Sequence, residues 1–130
     1  MSEVINTTAA SVFVDDHGML HIVSNGTQST GSTARETLTA ARSLLTRPAP
    51  TLLDARSWPK ARSDFWVTFI DMLPTVVSAG AILVAESGRE DLGGFPGAVN
   101  RLMVPFEVFT DEDMAIAFLM PFVPPAAAAE

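Results

Sequence analysis

The stretch Thr51-Leu52-Leu53-Asp54-Ala55-Arg56 decides how the rest of the chain is read. Its apolar run ends in an aspartate, a polar segment Arg56-Ser57-Trp58-Pro59-Lys60 follows, and an apolar-periodic segment begins near Ser63. A buried strand, a loop and a helix in that order make one unit of an α/β domain. The strand is predicted over 51–55. The helix is predicted to start with Ser63 or Asp64 as N-cap. Phe65, Trp66, Phe69, Ile70, Leu73, Val76 and Val77 then give it a face broad enough to cover a sheet. Pro74 removes an amide donor inside this run, which predicts a kink or a second short helix with the proline in its first turn. Gly80 is the expected terminator.

Downstream, Ala81-Ile82-Leu83-Val84-Ala85 is apolar without alternation, as strands covered on both faces are. Ser87 with Glu90 can cap a helix, which Leu92-Gly93-Gly94-Phe95-Pro96-Gly97 shortens or delays to 98–103. Pro105-Phe106-Glu107-Val108-Phe109 reads as a last strand, and Thr110 with Asp113 as the cap of a final helix over 114–120. Upstream, Ser11-Val12-Phe13-Val14 and Met19-Leu20-His21-Ile22-Val23 flank the turn-forming Asp15-Asp16-His17-Gly18 and read as a β-hairpin. Thr33 and Glu36 fit a capping box for the next helix, whose stripe is Leu38, Ala41, Leu44 and Leu45. Arg42 and Arg47 oppose its macrodipole, and Pro48 and Pro50 stop it. The order is β-β-α-β-α-β-α-β-α. It predicts an α/β fold with a mixed, mostly parallel sheet of about five strands, an N-terminal hairpin and about four helices. One domain is expected over 10–120, with flexible termini at 1–9 and 121–130.

Composition narrows the function classes. The net charge is -7, with eight Lys and Arg against fifteen Asp and Glu. That balance disfavours nucleic acid and anionic membrane surfaces as partners. Cysteine is absent, which removes thiolate chemistry and disulfides. The amino terminus lacks a basic region followed by an apolar one, and Pro74, Gly80 and Glu86 interrupt the longest apolar stretches. A soluble, cytoplasmic protein is the expectation.

The order of elements, with Leu52-Leu53-Asp54-Ala55 leading through a loop to Ser63, resembles the STAS domain of anti-sigma-factor antagonists and sulfate transporters. Residues 51–85 and the ending Phe109-Thr110-Asp111-Glu112-Asp113-Met114-Ala115-Ile116-Ala117-Phe118-Leu119 are similar to small, uncharacterised actinobacterial proteins given a STAS-like fold. The likeness spans about 10–120 in topology, through short motifs that also serve as ordinary caps. It implies a binding module without an active site. STAS regulators carry a phosphorylatable serine at the start of the helix after the central strand, typically within Asp-Ser-Ser-Gly. The matching stretch here is Ala61-Arg62-Ser63-Asp64-Phe65, which keeps only the serine. Ser63 is thus the candidate regulatory phosphosite, since a helix amino terminus favours an added dianion; a plain N-cap is the competing reading.

Other chemistry is sparse. Asp15, Asp16, His17 and His21 include metal-ligand types, but the first three suit a turn and no helical His pairing accompanies them, so no metal and no cofactor are expected. No Gly-x-Ser-x-Gly elbow exists for hydrolysis. Asp54 with Glu86 at neighbouring strand ends is the one carboxylate pair considered for acid–base work, against the plainer reading of loop-capping groups. Arg56, Lys60 and Arg62, with Trp58 among them, concentrate basic charge after the central strand, and such residues recur in binding hot spots. Phe95 among glycines suits a segment that folds over a ligand or partner. The expected function is therefore non-enzymatic: a protein-binding or regulatory module that takes a protein partner or forms a homodimer, through Arg56, Trp58, Lys60, Arg62 and Phe95. The alternative is a carrier of small apolar ligands, with a cavity lined by Phe65, Phe69, Met72, Phe95 and Met103.

Overall fold

The computed structural model describes residues 3–26, 30–57, 63–85 and 104–123, and the side chains of 63–66 lie outside the description. Within them a single sheet runs in the order β1 (Ile5–Asn6), β2 (Ala10–Val14), β3 (Leu20–Ser24), β4 (Ala49–Asp54), β5 (Val77–Leu83) and β6 (Phe106–Phe109). The first two pairings are antiparallel and the rest parallel, so the sheet is mixed and spatial order follows chain order. Three α-helices accompany it among the described residues: α1 (Gly31–Ser43), α2 (Ser63–Met72) and α3 (Glu112–Leu119).

The two central strands lie side by side as their apolar runs predict. Leu52 pairs with Ala81 and Leu53 with Ile82, and all four are buried. β4 starts at Ala49 and includes Pro50, which was expected to lie outside the strand. The proline is tolerated because the β3 ladder begins only at Thr51 and the β5 register is irregular between Ala49 and Pro50. The hairpin of β2 and β3 also forms, with Gly18 at φ 86 closing its turn.

α1 and α2 pack side by side on one face, as successive crossovers of one hand require. Ala34, Leu38 and Ala41 of α1 and Phe69 of α2 meet Val12, Ile22, Leu53 and Ile82 in one core. Alternate positions along the same strands point to the other face. There Leu52, Ala79, Ala81 and Leu83 meet Ala115 and Leu119 of α3. The alanines on both sides of this contact let the short helix approach the sheet closely. Pro74 does open a separate turn, a 3-10 helix over Leu73–Thr75.

Several expectations are corrected. The structure has six strands and three α-helices among the described residues, rather than about five and four. The additional strand is β1, in the segment expected to lack structure; at two residues it is too short to show a period. The helix expected at 98–103 lies outside the described residues. Gly80 does not end a helix: it sits inside β5, where its register partner Phe106 lays its ring over the glycine. α1 is capped by Thr30, not Thr33; the two threonines form a reciprocal box, with Thr33 N donating to Thr30 Oγ1 and Thr30 N to Thr33 Oγ1. Glu36 instead accepts the Thr8 amide at 3.2 Å. α3 is capped by Asp111 rather than Thr110, its carboxylate accepting the amides of Asp113 and Met114.

Candidate functional site

The carboxyl end of β4 carries the first cluster. Asp54 is the last residue of the strand and lies one step past the buried core, so its side chain meets the loop. Its Oδ1 accepts Arg56 Nε at 3.0 Å and Oδ2 accepts Nη2 at 2.7 Å, a two-pronged pairing that suits the planar guanidinium. The Arg56 amide also donates to Oδ1 at 3.2 Å. Arg56 Nη2 then reaches Glu112 Oε1, in the first turn of α3, at 3.4 Å. This chain of charges ties the loop after β4 to the helix on the far face of the sheet. Arg56 and Glu112 remain 46% and 49% exposed, whereas Asp54 is 17% exposed. Partial burial pushes the Asp54 carboxyl up, but the Arg56 hydrogen bonds and charge outweigh it and hold the group below the usual carboxylate range. The same partnership raises the Arg56 guanidinium.

The second cluster lies on the hairpin. Asp15 Oδ1 accepts the amides of His17 at 2.8 Å and Met19 at 3.0 Å, which closes the turn. Its Oδ2 lies 2.8 Å from His21 Nε2. The His21 ring stacks on Phe13, its register partner across the hairpin, with centroids 4.7 Å apart and planes 5° from parallel. Burial raises the Asp15 carboxyl, and the hydrogen bonds from His21 and the two turn amides more than offset it, leaving the group lowered.

The strand-end cluster is a poor acid–base catalyst. Asp54 spends its lone pairs on a guanidinium, which leaves a weak proton acceptor at neutral pH. The partner proposed for it, Glu86, lies outside the described residues. No group of three or more His, Asp or Glu among the described residues could hold a metal ion. Among them, too, no helix is long and apolar enough to cross a membrane.

Of the residues singled out from sequence, Arg56 falls in the strand-end cluster and Ser63 is the first residue of α2 as described, with its side chain outside the description. Trp58, Lys60, Arg62 and Phe95 lie outside the described residues. Sequence reasoning missed Glu112, which is 56 positions from Arg56 and carries no signal of the contact. It also missed the pairing of Asp15 with His21, because a turn over 15–18 would set Phe13 against Leu20, whereas the observed register includes Met19 in the turn and sets Phe13 against His21.

A mixed sheet with helices on both faces and a charged strand end makes this an α/β domain. The chain belongs to the family described as a domain of unknown function (DUF7793), whose family model matches residues 6–123. Its fold is similar to that of an uncharacterised protein of the DUF3478 family with a SpoIIAA-like fold, from Shewanella loihica. The TM-score is 0.55 at 13% identity, over 92% of each chain, a likeness of fold alone. No curated protein matches the sequence.

Proposed function

We propose that this chain is a non-enzymatic cytoplasmic binding module, kin to the small actinobacterial STAS-like proteins, which takes a regulatory protein or a second copy of itself. The surface is the loop after β4 with the starts of α2 and α3. One observation carries this reading: Arg56 is half exposed yet held by Asp54 and directed toward Glu112. A guanidinium oriented before contact loses less freedom on binding, and arginine with tryptophan is common at the centres of interfaces. Trp58, Lys60 and Arg62 follow it in the sequence. Ser63 is the candidate for phosphorylation in this surface, where an added dianion would favour the amino end of α2 and would meet the basic residues before it.

The carrier reading has less behind it. Phe69, one of its proposed lining residues, is 2% exposed and packed with Leu38, Leu53, Leu73 and Val76. A side chain so enclosed fills the core rather than lining a space.

The test pairs Arg56→Glu with Trp58→Ala in the full chain, followed by light scattering and native mass spectrometry on the purified protein and by affinity capture. The double variant is expected to lose the self-assembled species or the captured protein while its circular dichroism stays native. Unchanged mass together with unchanged capture overturns the proposal, and small molecules retained equally by both forms favour the carrier.

A further inference from the structure

Asp15 and His21 form a contact that the proposed binding surface does not use. An ionised carboxylate only accepts hydrogen bonds. The hydrogen between Asp15 Oδ2 and His21 Nε2, which are 2.8 Å apart, therefore belongs to the imidazole Nε2. Nδ1 is then the nitrogen with a free lone pair in the neutral ring.

Among the described residues, the surroundings of the ring are as follows. Asp15 faces it from the turn and also holds the amides of His17 and Met19. Phe13, from β2, covers one ring face and is neutral. On β4 the register partner of His21 is Leu52, and Asp54 stands two residues further along the same face. Arg56 lies beyond Asp54 and links it to Glu112 of α3. The α3 residues packed into this layer, Ala115 and Leu119, are uncharged. His21 thus stands between two carboxylates that organise different parts of the fold, one a hairpin turn and the other the strand-end network.

We propose that His21 is a pH-sensitive clasp between the β2–β3 turn and the end of β4: a proton taken up on Nδ1 converts the Asp15 hydrogen bond into an ion pair flanked by Asp54. The imidazolium strengthens the hold of Asp15 on the turn and competes with Arg56 for the field of Asp54. Burial raises both carboxyls, and His21 is among the neighbours that lower both.

The test is a nitrogen-15 pH titration of the full chain. Nε2 is expected to stay protonated throughout while Nδ1 titrates. The amide shifts of His17, Met19 and Arg56 are expected to follow the same midpoint. His21→Phe keeps a flat ring against Phe13 and is expected to abolish that inflection, whereas His17→Gln leaves it in place. Should His21→Phe not fold, His21→Gln serves the same comparison. A neutral ring protonated at Nδ1, amides that ignore the His21 transition, or an inflection that survives loss of His21 overturns the proposal.

Discussion

The ring of Phe106 lies over the α-carbon of Gly80, across the ladder between β5 and β6. A methyl group at that position would clash with the edge of the ring. The glycine is therefore a packing requirement inside a strand, and its φ needs no left-handed geometry to explain it.

Gly80→Ala is expected to destabilise the fold by about 1–3 kcal/mol, the usual cost of overpacking. Urea unfolding measures it. Combining it with Phe106→Leu, which removes the ring edge from the crowded site, is expected to recover part of the loss. A double-mutant cycle that is strictly additive would show that the ring and the glycine do not interact.

The cap of α3 gives a second comparison. Asp111 accepts two first-turn amides, at 2.8 Å and 3.2 Å. Asp111→Ala is expected to cost about 1 kcal/mol, as the loss of an N-cap does. Thr110→Ala, one residue earlier and exposed, is expected to change stability by less than about 0.5 kcal/mol, in the range of ordinary surface substitutions. Equal effects at the two positions would contradict the cap assignment.

Ser24 presents the opposite case. It is 6% exposed at the end of β3, and its buried hydroxyl has no hydrogen-bond partner among the described residues. Enclosing a hydroxyl unpaired costs about 1–3 kcal/mol by mutational measures. Ser24→Ala is accordingly expected to be neutral or stabilising, with a raised thermal midpoint. A clear drop in the midpoint would mean that the hydroxyl is paired.

Acid stability follows from the two lowered carboxyls. Asp15 and Asp54 are each held below the ordinary aspartate range in the folded state. The unfolded chain then binds protons more readily than the folded one, so each group contributes stability that is fully present above its unfolded pKa. That contribution is lost as pH falls through the lower folded value. Asp15→Asn and Asp54→Asn are each expected to flatten the acid limb of the stability curve below about pH 4, near the ordinary aspartate value. Unfolding by urea between pH 2 and 6, about the range over which aspartates exchange their protons, measures the slope. A variant whose acid limb keeps the native slope would remove that aspartate from the account.

Much of the fold was legible without coordinates, for local reasons. The continuous apolar runs of β4 and β5 can be satisfied only by strands covered on both faces, and their adjacency follows. The hairpin announced itself through the Asp-rich turn, and Pro74 through its missing amide. Caps were read less well, because serine, threonine and aspartate stand next to one another at each helix start and any of them can serve. The candidate site was the least legible part. Arg56 stood out by type, but Asp54 looked like a loop-capping acid and Glu112 like helix-start charge.

The placement of apolar residues along this chain, periodic in the helices and continuous in the two middle strands, determined the element order, those strands and the helix faces, because burial of a face is a property of neighbouring positions. The tertiary structure alone decided that α3 covers the face opposite α1 and α2, that Phe106 rests on Gly80, and that Arg56 reaches Glu112. Those relationships join residues far apart in the chain, and their energies exist only once the sheet has brought them together.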